Sequence, residues 1–192
     1  MKLGVLGGTF DPVHAGHLAL AEGARRQLRL EKVLLIPAGQ PWRKAGRAVS
    51  AAEHRVAMLR LAAAGNPGLE VSTVEVDRPG PTYTVETLAK LKDEWPNEEL
   101  VLILGEDALA DLPNWRDADR IREFATLAVA RRSEGDRAVE IATAAGMTWL
   151  TIPRIEISAS AIRERVRAGL PVRDLVPEAV AEYIDEHGMY RQ

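Results

Sequence analysis

Cysteine is absent from the 192-residue chain, which excludes disulfides, thiolate nucleophiles and cysteine-ligated zinc and fits a reducing compartment. No apolar run approaches the ~18 residues of a membrane span, and the single Lys2 before LGVLGG makes too short a segment for a signal peptide. Neither sign of charge dominates: 25 Lys and Arg against 28 Asp and Glu give −3. The chain therefore has no global basic field for nucleic acid, and any anion site has to be local. Aromatics are 5% of the residues and histidines number four, so each is informative when it falls in a loop. What is present is a 46% hydrophobic composition at a length near the ~150-residue prior for one domain. Residues 1–192 are read as one cytoplasmic domain that uses no membrane.

Short apolar runs of strand type recur at Leu3–Leu6, Val33–Ile36, Val71–Val76, Leu100–Leu104, Leu127–Ala130 and Thr148–Ile152. Between them lie stretches of helical period, such as Leu18, Ala21, Leu28 and then Val56, Leu59, Leu61. This alternation predicts an α/β fold: a doubly wound, mainly parallel sheet with helices on both faces, and ligands at the carboxyl ends of its strands. Ser50 with Glu53 predicts a capping box at a helix start, Pro177 with Glu178 opens the last helix, and Gly188 ends it. The stretch Pro37–Val49, with two Pro, two Gly and three cationic side chains, reads as a long loop inside the domain.

Directly after the first predicted strand comes GGTFDPVHAGHL, residues 7–18. Gly7 and Gly8 permit close backbone approach, while free amides and the positive end of a following helix dipole suit a phosphate. His14 and His17 are three apart, so on a helix that has begun by then both imidazoles share one face and can grip one phosphate. The spacing is neither the GxGxxG of dinucleotide folds nor a Walker loop, since no GK[ST] follows.

Gly7–Leu18 resembles the His-x-Gly-His motif of the nucleotidylyltransferase superfamily. PAGQPWRK (37–44), DRPGPTYTVETL (77–88), LGEDALADLPNW (104–115) and ISASAIRERVRAGLPVRDLVPEAVAEYI (157–184) resemble, in order, the remaining segments of the bacterial nicotinate-nucleotide adenylyltransferases. The likeness covers nearly the whole chain and implies a Rossmann-like nucleotidyltransferase fold. The first motif is shared with pantetheine-phosphate adenylyltransferases, whereas the Tyr-Thr and Leu-Pro-x-Trp segments point to nicotinate.

Further residues acquire roles from their chemistry and from this resemblance. Arg43 and Lys44 are cations in the long loop, able to close over a triphosphate. Arg43 stands where the family usually has His, and Trp42 replaces a Pro. Ser158, Ser160 and Arg163 bring hydroxyls, helix-end amides and a guanidinium fork to one point, which by resemblance holds the β- and γ-phosphates of ATP; Ala159 stands where the family usually has a hydroxyl. A flat pyridine wants an aromatic face and its carboxylate wants donors. Tyr83, Thr84 and Trp115 are accordingly the substrate candidates, and resemblance implies that Trp115 stacks on the nicotinate ring while main-chain N–H groups near Thr84, Val85 and Arg116 bind its carboxylate. Gly105 and Asp107 border the nucleotide crevice by position, Asp107 either on a ribose hydroxyl or capping the next helix. Thr9 and Phe10 join Gly7 and Gly8 in the phosphate loop. His54 and His187 receive no role.

The implied reaction is attack of the nicotinate mononucleotide 5′-phosphate on the α-phosphorus of ATP, giving nicotinate adenine dinucleotide and pyrophosphate. A phosphate monoester with a second pKa near ~6 is largely a dianion at pH 7 and needs no general base. The site has to align two polyanions and aim donors at the developing charge, a task assigned to His14, His17 and the loop amides. Mg²⁺ is expected on the phosphates, with no dedicated protein cage. Two alternatives remain at this point: transfer to nicotinamide mononucleotide or phosphopantetheine, or a non-catalytic nucleotide-binding protein. The oligomeric state stays open, with a homodimer among the options.

Overall fold

The computed structural model describes residues 1–40, 49–133, 143–144, 147–153 and 155–191. Seven strands form one sheet in the order β3-β2-β1-β4-β5-β7-β6. They are β1 (Lys2–Gly8), β2 (Lys32–Pro37), β3 (Leu69–Val71), β4 (Glu99–Gly105), β5 (Ala125–Ser133), β6 (Thr143–Ala144) and β7 (Met147–Pro153). All neighbours pair parallel except the short edge strand β6, which runs antiparallel to β7. The chain winds outward from β1 through β2 to β3, then returns to lay β4 on the other side of β1, with Val5 paired to Leu102. The reversal of winding opens a crevice beyond the carboxyl ends of β1 and β4, where open α/β sheets bind ligands.

The uninterrupted apolar strands are explained by burial on both faces. Leu6, Val33, Leu35, Val101 and Ile103 face a core shared with Ala21 and Ala24 of α1 (Ala15–Leu28), Met58 and Leu59 of α2 (Ala52–Ala63), Ile162 of α6 (Ala159–Arg167) and Val180 and Ile184 of α7 (Glu178–Glu186). Their neighbours Leu3, Val5, Leu34, Leu100, Leu102 and Leu104 face the opposite core, closed by Val85, Leu88 and Leu91 of α3 (Thr84–Glu94) and by Ile121 of α5 (Ile121–Phe124). The short α4 (Glu106–Asp111) leaves β4 directly at Gly105. No helix among the described residues is long and apolar enough to cross a membrane.

Three local expectations are corrected. The strand read at Val71–Val76 is Leu69–Val71, because the chain turns at 74–77 and Glu75 is engaged by hydroxyls of a later segment. Ser50 does not open a capping box: α2 begins at Ala52 with Ala51 as N-cap, and the Ser50 N–H donates instead to Asp11 Oδ2 at 3.1 Å. Leu61 is turned outward, 37% exposed. The last helix does begin after Pro177, and Gly188 follows it with φ +58°.

Candidate active site

The β1–α1 elbow is built from the inside. Phe10 is fully buried with φ +51°, packing its ring edge against His17 at 4.9 Å between centroids. A Cβ on Gly8 would touch that ring at 3.1 Å, whereas a Cβ on Gly7 or Gly105 would meet nothing within 4 Å. Gly7, next to last in β1, and Gly105, which ends β4, therefore look into open space wide enough for a ligand to approach main chain. Of the phosphate-loop residues, Gly7, Gly8 and Thr9 line the crevice; the Phe10 side chain belongs to the core, so only its main chain can serve an anion.

His14 is the N-cap of α1 and His17 lies in its first turn. The rings stack at 3.7 Å with 26° between planes, as their spacing predicts. The His14 N–H donates to His17 Nδ1 at 3.2 Å, which places the neutral His17 ring proton on Nε2. Burial lowers the His14 pKa to about 4, so this imidazole is neutral at pH 7. Its Nδ1 is buried and turned toward the start of α1, where His14 and His17 form a capping box.

Two cavities meet at this elbow. One, of about 350 Å³, is lined by Gly7, Gly8, Thr9, His17, Gly105 and, on its far wall, Glu75, Thr82, Thr84, Thr87 and Trp115. The other, of about 370 Å³, is lined by His14, His17, Gly105, Ser158, Ser160 and Arg163. His17, Leu20 and Gly105 border both.

In the second cavity Ser158 caps α6, its Oγ accepting from the Ala161 N–H at 3.1 Å. Arg163 spans the cavity floor: Nη2 donates to Ser160 Oγ at 3.2 Å and Nη1 to the Asp11 carbonyl at 2.7 Å. Asp11, itself buried, accepts from the Tyr190 hydroxyl at 2.7 Å. Burial first, and this carboxylate second, push the Tyr190 pKa well above its ordinary value.

The first cavity differs from expectation in detail. Trp115 is on its wall, with Nε1 donating to Asp111 Oδ2 at 3.2 Å, and Thr84 begins α3 there. The Val85 side chain is buried in the core, leaving only its main chain for a ligand. Tyr83 and Arg116 do not line the cavity; the Arg116 guanidinium lies over the Tyr83 ring at 4.6 Å and pairs with Glu86 and Asp117. Asp107 is exposed in the first turn of α4, lines neither cavity and makes no capping bond. Arg43, Lys44 and Trp42 lie outside the described residues.

The sequence reading missed Glu75, whose carboxylate accepts from Thr82 Oγ1 and Thr87 Oγ1 at 2.8 Å each, on the cavity wall. Thr82 and Thr87 flank the Tyr-Thr motif, but nothing in their spacing shows that a carboxylate from an earlier turn joins them. Among the described residues, no group of three or more His, Asp or Glu side chains is arranged to hold a metal ion. Asp11, buried beside the elbow, has both carboxylate oxygens engaged, by the Ser50 N–H and the Tyr190 hydroxyl.

Comparison with known proteins agrees with this fold. The cytidylyltransferase-like family model matches residues 5–165. A probable nicotinate-nucleotide adenylyltransferase of Roseiflexus sp. (strain RS-1) is 48% identical, covering 98% of each chain. One from Thermomicrobium roseum is 47% identical over 99% of this chain and 92% of its own. Among solved structures, a Plasmodium falciparum nicotinic acid mononucleotide adenylyltransferase complexed with NaAD superposes with a TM-score of 0.80 over 98% of this chain and 97% of its own, at 16% identity. At that identity it speaks for the fold alone.

Proposed function

We propose, for a chain that belongs to the cytidylyltransferase-like family and within it to the nicotinate-nucleotide adenylyltransferases, a division of labour between its two cavities. The reaction transfers the adenylyl group of ATP to nicotinate mononucleotide. The cavity with Trp115 and the start of α3 takes the mononucleotide: Trp115 offers a ring face, and the first amides of α3, at Thr84 and Val85, offer donors to the pyridine carboxylate. The cavity with His14, Ser158, Ser160 and Arg163 takes the triphosphate. The observation that carries this reading is the shared border: His17 and Gly105 line both cavities, so an acceptor phosphate in one meets the α-phosphorus of ATP in the other beside the imidazole pair.

The acceptor oxygen attacks the α-phosphorus and pyrophosphate leaves on the opposite side. No residue has to remove a proton, since the nucleophile is already anionic. His17, neutral His14 and the elbow amides donate to the oxygens on which charge accumulates. Mg²⁺ enters as part of the ATP complex, held by phosphate oxygens and water. Phosphorylated substrates of this kind place the reaction in the cytoplasm.

Product analysis tests the assignment. With ATP, Mg²⁺ and nicotinate mononucleotide, nicotinamide mononucleotide or phosphopantetheine in parallel, the nicotinate acceptor should give dinucleotide and pyrophosphate fastest. Faster turnover of another acceptor, or ATP binding without pyrophosphate release, would overturn it.

A further inference from the structure

Arg55, on the first turns of α2, is 1% exposed and makes no ion pair among the described residues. Its guanidinium is spent on three main-chain carbonyls from three segments: Nη1 donates to Thr9 at 2.9 Å, Nε to Ser50 at 2.9 Å and Nη2 to Gly39 at 3.3 Å. Burying a charge is costly and persists only where the fork is fully engaged. The burial pulls its pKa down, partly offset by the Asp11 carboxylate nearby. Gly39 reaches the fork only because it lacks a side chain; a Cβ there would lie 2.2 Å from the Glu75 carbonyl oxygen.

The bond to Thr9 is the informative one. In a planar trans peptide the carbonyl and the following N–H point in opposite directions. Drawing the Thr9 carbonyl toward Arg55 therefore turns the Phe10 N–H away from Arg55. Phe10 is held at φ +51°, a conformation that non-glycine residues adopt only where the surroundings over-determine it. Two restraints are visible: burial of the Phe10 ring and the Arg55 bond one peptide earlier. Two residues on, Arg163 binds the Asp11 carbonyl in the same manner.

We propose that Arg55 is a positioning residue for adenylyl transfer: by holding the Thr9 carbonyl inward it aims the Phe10 N–H at the phosphate undergoing attack. The inference rests on the functional reading above and deepens it. It explains why a lysine would not serve, since one ammonium cannot span three carbonyls in a fixed fork. It also separates a role in rate from a role in stability. A residue that only stabilises the fold changes how much enzyme is folded, whereas one that aims a donor changes turnover per folded molecule.

The test compares Arg55→Lys with the natural protein in a steady-state assay for pyrophosphate release, at a temperature where thermal melts show both fully folded. Expected is a fall in kcat of at least tenfold with the KM for nicotinate mononucleotide within twofold. A smaller fall in kcat, or an equal rise in the mononucleotide KM, would overturn the proposal. A measurement on the natural protein keeps it open to refutation if the variant fails to fold. In ¹⁵N-labelled protein titrated with an ATP analogue whose α,β-bridging oxygen is replaced by methylene, so that the α-phosphate stays in place, the Phe10 amide resonance should move downfield, and an unmoved resonance at saturation overturns the proposal. Absence of dinucleotide formation by the natural protein in the same assay would remove the functional reading itself.

Discussion

The two walls of the crevice are built on different principles. On the elbow side, main chain, imidazole and the Ser158, Ser160 and Arg163 side chains face the ligand space, and two guanidinium groups hold the carbonyls of the elbow: Arg55 on Thr9 from the interior, Arg163 on Asp11 from the cavity. On the pyridine side, an indole and a carboxylate sit on the wall, with Trp115 bonded to Asp111 and Glu75 gripped by Thr82 and Thr87. The elbow is thus anchored from beneath by the buried Arg55 guanidinium and from the cavity by that of Arg163, while the pyridine wall depends on hydroxyl–carboxylate bonds and one indole. On the proposed function, this difference lodges rate and acceptor selectivity on opposite walls, and the division can be attacked one wall at a time.

The largest effect is expected at the elbow. His17→Ala should lower kcat by about 10² to 10³, the usual loss of one oxyanion donor, with an unchanged circular dichroism spectrum; near-normal turnover would discard the role. On the other wall, Trp115→Ala should raise the KM for nicotinate mononucleotide by about tenfold, a stacking contribution on the order of 1 kcal/mol, while leaving that for ATP within twofold. Equal changes in both constants would move Trp115 out of the pyridine cavity. Glu75→Gln weakens two hydroxyl bonds to a carboxylate, each worth about 1.5–3 kcal/mol, and keeps the shape. Denaturant melts should show a loss of about 1–3 kcal/mol, and kinetics a rise confined to the mononucleotide KM.

The last prediction is a titration. His14 is neutral in the folded protein down to about pH 4, whereas the unfolded chain protonates it near the ordinary pKa of ~6.5. Between these values the unfolded state binds more protons, so stability rises with pH and is lost as pH falls from about 6.5 toward 4. The Tm of the ligand-free protein should therefore drop over that window more steeply than that of His14→Gln, which has no such group. Parallel curves would show that His14 is not held neutral.

How far the sequence reveals all this follows the same division. The parallel sheet is legible because strands buried on both faces read as continuous apolar runs, as at Leu100–Leu104 and Val33–Ile36. The elbow is legible because its glycines and histidines act where they stand, within one turn of the strand. Strand β3 was misplaced because Val71, Val74 and Val76 keep an apolar pattern through a turn that Glu75 stabilises by bonds to Thr82 and Thr87. Ser50 looks like a cap but spends its N–H on Asp11, 39 positions away. Arg55 carries no signal at all: its partners Thr9 and Gly39 are 46 and 16 positions distant, and only the fold brings them together. The Tyr83 and Asp107 side chains line neither cavity, and the reading of Arg116 concerns its main-chain N–H, on which the direction of its guanidinium does not bear. A motif fixes the neighbourhood of a residue more firmly than the direction of its side chain.

Because histidine can itself serve as a nucleophile, the decisive measurement is the stereochemical course at the α-phosphorus, followed with ATP made chiral there by sulfur substitution. If the imidazole pair only donates hydrogen bonds while the acceptor phosphate displaces pyrophosphate directly, configuration at phosphorus is inverted. Retention would require two successive displacements through an adenylylated side chain and would contradict the account.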